Sequence, residues 1–265
     1  MRLPERHGLL LAVVLMGWLT LTLWLDRVDG TGSIWRQRGL GAGTWLVLFG
    51  GLAICTPLVR AQTLVVVACA TAAEFTFSPL LGVYLYRFHN VPMYVPPGHG
   101  LVYLSAFALG HWPPIQRHLK AAAVVVGVAI GVWASYNWLL ADRGDGLGFF
   151  WFLCLAGFLA WGPSRPVYVG AAVVVTWLEL AGTHLGTWAW QPHDPLLGVS
   201  VGNPPSGAAG GYGWFDLAGL ILAPWLARLL SGPAGRRTPV DRSPEGSTPR
   251  ARGRDHDPAR QPPTP

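Results

Sequence analysis

The sequence predicts an all-α fold: a polytopic transmembrane helix bundle of about eight spans, with a 4+4 parallel internal repeat. Three observations carry that expectation. Half of the 265 residues are apolar and only 12% are charged, whereas an ordinary soluble domain carries about 25% charged residues, so lipid is the solvent for most of the chain. Trp (14) and Gly (34) are both abundant, as aromatic belts and close helix contacts require. Eight apolar runs also approach the ~20 residues needed to cross a bilayer.

Those runs fall at roughly 8–25, 42–59, 61–80, 98–112, 121–141, 147–162, 167–184 and 214–230. The first follows Arg2 and Arg6 in the manner of a signal peptide. It is too long for an h-region, and no A-x-A-like cleavage site follows, so it reads as a retained helix. The second and third are parted only by the polar break Arg60 to Gln62, which predicts a tight helical hairpin. The fourth and sixth are at the lower limit of length.

Nine basic residues fall on the face that carries the N-terminus (Arg2, Arg6, Arg60, Arg117, Lys120, Arg165, Arg228, Arg236 and Arg237). Five fall on the other (Arg27, Arg36, Arg38, Arg87 and Arg143). The excess places both termini in the cytoplasm of a multi-pass plasma (inner) membrane protein. The transmembrane domain is then 1–230, with halves at about 1–112 and 121–230, followed by a Pro/Arg-rich tail, 231–265. The tail has little to bury and reads as disordered, loosely attracted to anionic lipid headgroups. Half of the net charge of +6 sits there, so the basic balance does not indicate a nucleic-acid partner. Cys55, Cys69 and Cys154 lie in apolar runs without metal or redox spacing and read as small packed hydrophobes.

The repeat shows as register. Glu74 and Glu179 are 105 residues apart; Gly82 and Gly186, Tyr84 and Trp188, and Tyr86 and Trp190 are each 104 apart. Pro96-Pro97 and Pro204-Pro205 are 108 apart. Each copy is an apolar run holding one Glu, then Gly-x-aromatic-x-aromatic, then a Pro-Pro segment.

A carboxylate inside a transmembrane helix costs about 2.5 to 3.5 kcal/mol at the helix centre, so two of them in register require an offsetting role. Both sit near the outer end of their helices, and facing each other they form a pair of the kind general acid/base chemistry uses. The competing reading is that each merely ties helices together, for instance through Arg87. His99 and His184 are placed to shuttle protons beside the glutamates; neither falls in a metal-ligand spacing, so no metal and no cofactor is expected. Asp216, at the start of the eighth run, is either a helix cap or a site acid. Tyr84, Tyr86, Trp188 and Trp190 belong to an aromatic belt or line a slot for a flat apolar ligand. Asn203 stands at a turn within the long 186–213 segment, which reads as a folded lid or re-entrant loop over the glutamates.

The pattern Glu179-Leu-Ala-Gly-Thr-His184-Leu-Gly-Thr-Trp188-Ala-Trp190, with its echo Glu74…Gly82-Val-Tyr84-Leu-Tyr86, resembles the carotenoid-biosynthesis membrane family that includes carotenoid hydratases. The likeness covers about a quarter of the chain. It departs at Ser78-Pro79-Leu80-Leu81 and at the 202–207 insertion. The chain also looks like polytopic proteins of high-GC bacteria with Pro-Pro-Gly-His-Gly and Asn-Pro-Pro-Ser-Gly segments. The first resemblance implies a membrane-embedded enzyme on a polyisoprenoid or carotenoid-like lipid, adding water across a double bond, with one glutamate donating the proton and the other activating water. Repeated halves with buried acids equally describe a proton-coupled transporter or channel; a non-catalytic scaffold is the third class.

Overall fold

The computed structural model describes residues 5–28 and 32–230; the tail at 231–265 lies outside them. Among the described residues the chain is mostly helical: α1 (Glu5–Leu25), α2 (Ile34–Ala53), α3 (Pro57–Phe75), α4 (Val95–Gly110), the short α5 (Pro113–Arg117), α6 (Leu119–Leu139), α7 (Gly146–Trp161), α8 (Arg165–His184) and α9 (Ala208–Leu230). Four stretches are helical, long and apolar enough to cross a membrane: Gly8–Leu25, Pro57–Leu80, Leu119–Leu139 and Arg165–His184. Helix α7 is equally apolar but shorter.

The break between the second and third helices is not at Arg60 to Gln62, as the charge there suggested, but at Ile54 to Thr56. Thr56 caps α3 by accepting from the Val59 amide, and Pro57 occupies the first turn, where its missing N–H costs nothing. Arg60 is thereby inside α3, and its guanidinium reaches back to the Leu52 and Ala53 carbonyls at the end of α2. Arg165 does the same for α7, donating to the Leu159 and Ala160 carbonyls. Each arginine thus satisfies carbonyls that a helix end would otherwise leave unpaired.

Helices α4 and α8 form the buried centre. Nearly every residue from Val95 to Ala108 is covered, and Val167 to Ala172 are covered in a continuous run. Close approach explains it: a Cβ on Gly170 would enter the Ala106 backbone, and one on Gly110 would enter Pro166. Helix α9 lies against α3, where a Cβ on Gly219 would come 3.0 Å from the Gln62 carbonyl oxygen. Small residues let these backbones touch where helix association in lipid depends on packing. Helix α6 is peripheral and turns Val124, Val125, Val128 and Val132 outward, the expected face for acyl chains.

Helix α3 does not stop at Phe75. A π-helical turn, Thr76–Leu80, carries it past Pro79, and Gly82, at φ +66°, turns the chain into β1 (Tyr84–Tyr86). Gly186, at φ +68°, does the same after α8, leading into β2 (Trp188–Trp190). Both turns use the left-handed region that glycine alone enters freely. The two strands pair antiparallel, with Tyr84 opposite Trp190, Leu85 opposite Ala189 and Tyr86 opposite Trp188.

Helix α9 begins at Ala208, earlier than the sequence suggested. Asp216 is therefore neither a cap nor a first-turn acid but an interior residue, 4% exposed. The glycines that hid the start of this helix are packing positions: a Cβ on Gly210 would strike the Trp151 backbone, and one on Gly213 the Phe158 ring.

Candidate active site

Strand alternation puts Tyr84, Tyr86, Trp188 and Trp190 on one face of the two-stranded sheet. That face meets both glutamates. Glu74 Oε2 accepts from the Tyr84 and Tyr86 hydroxyls, each at 2.8 Å. Glu179 Oε2 accepts from the Trp188 and Trp190 indole N–H groups, each at 3.1 Å. The remaining oxygens each have one partner from the helix that follows their strand: His99 Nε2 is 2.8 Å from Glu74 Oε1, and Tyr212 donates to Glu179 Oε1 at 3.1 Å. Pairing of the strands brings the sets together, with the Tyr84 and Trp190 rings 4.6 Å apart. His99 stacks on Tyr212 at 5.1 Å, joining the two oxygens' partners.

A carboxylate has about four lone-pair sites. On each glutamate Oε2 is filled by two donors and Oε1 by one, so each keeps an accepting direction at Oε1. His99, 5% exposed, has an Nδ1 with no partner. Burial first, then the Glu74 charge, holds the Tyr84 and Tyr86 phenols well above the ordinary tyrosine range, so both remain hydrogen-bond donors.

Glu74, Glu179, His99, Tyr84, Tyr86, Trp188, Trp190 and Tyr212 line a single cavity of about 770 Å³. Its other walls are mostly apolar, with Leu19, Leu23 and Val102 buried and Phe77, Phe150 and Trp214 exposed, and Thr22, Tyr94 and Asp194 as the further polar lining. The segment after β2 contributes Leu196, Leu197 and Val199 to the lining. It is a fastened loop. Asp145, the N-cap of α7, accepts from the amides of Gly148, Gly202 and Ser206 and from the Ser206 hydroxyl. Arg143 donates to the Val201 and Trp190 carbonyls.

Three expected site residues lie apart. His184 ends α8 exposed, because the five-residue step from Glu179 turns it off the carboxylate's face. Asn203 is exposed and accepts from the Trp190 amide at 2.9 Å, so it positions β2 without lining the cavity. Asp216 is buried but outside the lining. Tyr212 and Asp145 were not anticipated. Tyr212 had a visible signal, since Gly211-Tyr212-Gly213 answers Gly98-His99-Gly100. Asp145 had none, because its partners lie across a long loop. Among the described residues no group of three or more His, Cys, Asp or Glu is placed to hold a metal ion. Compared with family models, curated proteins and solved structures, the chain matches none.

Proposed function

We propose that the chain is a duplicated, eight-span plasma-membrane enzyme, with both termini cytoplasmic, that performs acid/base chemistry on an apolar polyisoprenoid or carotenoid-like lipid. One observation carries this: two carboxylates from separate helices line one largely apolar cavity and each keeps a free accepting direction. The duplication is supported by the matched roles of Arg60 and Arg165, Gly82 and Gly186, and the two glutamates with their strands. Eight crossings are supported by helices at all eight apolar stretches.

In a hydration, the Glu74–His99 pair delivers a proton to one carbon of a double bond. Water bonds to the neighbouring carbon and gives its spare proton to Glu179 Oε1, a proton returned through water to the Glu74–His99 pair before the next turnover, so the product is the alkene plus one water. The carbocation formed between these steps faces Tyr84, Tyr86, Trp188 and Trp190, whose rings attract positive charge. Lipid extraction and mass analysis of cells with and without the gene test the reading. The expected result is a lipid or pigment species one water heavier, lost in Glu74→Gln and in Glu179→Gln at unchanged expression. Identical lipid profiles with and without the gene, or product formation by both variants, contradict it.

A further inference from the structure

Asp216 is a buried acid that the cavity leaves unused. Three residues along one face of α9 fix its level. Tyr212 meets Glu179, Asp216 follows four residues later, and Gly219 lies against the Gln62 carbonyl and Val66 of α3. At 1.5 Å per residue, Asp216 lies about 6 Å deeper than Tyr212. Helix α4 repeats the pattern: His99 meets Glu74, and Tyr103, four residues on, donates to Gln62 Oε1 at 3.1 Å. Gln62 is in the second turn of α3 and Tyr168 in the first turn of α8, at the ends of those helices remote from the glutamates. The Phe158 ring, against which Gly213 of α9 packs, joins Tyr168 to the same layer. Tyr103 packs with Val66 and Val167, and Phe107 and Phe215 close the layer.

Two of these groups lack partners while fully covered. Asp216 Oδ2 and the Tyr168 hydroxyl, on residues 4% and 0% exposed, have no hydrogen-bond partner. The titratable or polar groups facing the layer are Gln62 from α3, Tyr103 from α4 and Tyr168 from α8; α7 presents the Phe158 ring, stacked on Tyr168 at 5.0 Å. No salt bridge to Asp216 is present among the described residues. An intramembrane carboxyl facing the bundle interior without a cationic partner is characteristic of ion and proton paths.

We propose that Asp216, with Tyr103, Tyr168 and Gln62, is a second polar site, one helical turn past the residues that meet the glutamates, that carries protons between the cavity and the end of the bundle where α3 and α8 begin. Its partner is a proton passed through hydroxyl and carboxyl oxygens, with no net chemistry: the proton taken up by one oxygen is released by the next. The proposal rests on the reading of the chain as membrane-spanning and not on the reaction assigned to the cavity.

The test is proton uptake by vesicles containing the full-length protein and a trapped pH-sensitive dye, with a potassium diffusion potential as the driving force. Wild type is expected to acidify the lumen faster than protein-free vesicles, with Asp216→Asn and Tyr168→Phe each at least tenfold slower. Tyr168→Phe keeps the ring and carries the test should Asp216→Asn fail to insert. Uptake by wild type no faster than in protein-free vesicles, or uptake by Tyr168→Phe equal to wild type, overturns the proposal. Lipid analysis of Glu74→Gln separates the two readings, because loss of the hydrated product in that variant does not depend on vesicle acidification.

Discussion

Gly182→Ala tests the fit between α8 and the aromatic strands at the level of a single methyl group. A Cβ at this position would lie inside the six-membered ring of Trp188, and the ring cannot yield without moving its indole N–H away from Glu179 Oε2, 3.1 Å away. Overpacking of this kind costs about 1–3 kcal/mol, and breaking a buried hydrogen bond so that a partner is left unsatisfied costs about 1–3 kcal/mol. A combined loss on the order of 3 kcal/mol corresponds to a fall in Tm of roughly 6–12 °C for a chain of this size. Gly157→Ala is the control, since nothing lies within 4 Å of the added Cβ and alanine is the better helix former by about 0.8–1.0 kcal/mol. Thermal unfolding of the detergent-solubilised protein, followed by tryptophan fluorescence, should put Gly182→Ala well below wild type and Gly157→Ala at or above it. Equal Tm values for Gly182→Ala and wild type would refute the placement of Trp188 over α8.

Asp145→Asn places an amide N–H against donors that now reach a carboxylate, so it should cost about 1–3 kcal/mol and make the 191–207 loop more open to limited proteolysis. Arg60→Ala and Arg165→Ala each strip two carbonyls of their caps; separated sites add to within about 0.5 kcal/mol, so the double variant should lose the sum of the two single losses in Tm-derived stability. The raised Tyr84 and Tyr86 phenols stabilise the fold below the ordinary tyrosine pKa of about 10, and that contribution is lost as pH rises further. Replacing both tyrosines by Phe should flatten the alkaline limb of the stability–pH curve.

The helices were legible because a bilayer imposes a length and a composition: each apolar stretch contains a helix, and four of the helical stretches are long and apolar enough to cross a membrane. Their ends were less legible. Arg60 looked like a loop residue because charge signals solvent, yet its long stem lets the guanidinium serve the preceding helix end from within α3. Asp216 looked like a cap because Gly210, Gly211 and Gly213 look like loop, whereas these glycines are where α9 meets α7. The two glutamates and the alternation of their aromatics could be read directly, but the all-α expectation did not include the two short strands that carry those aromatics. That Tyr84 and Tyr86 serve Glu74 while Trp188 and Trp190 serve Glu179 could not, because it depends on the antiparallel pairing of strands about a hundred residues apart.

A photoactivatable isoprenoid alcohol, incubated with the purified full-length protein and mapped by peptide mass spectrometry after illumination, probes the shared cavity most directly. Adducts should concentrate on 83–86, 188–190 and 211–215 and should disappear when excess unmodified isoprenoid competes. Adducts confined to the outward face of α6, insensitive to competition, would mean that the glutamates do not share a lipid-binding chamber.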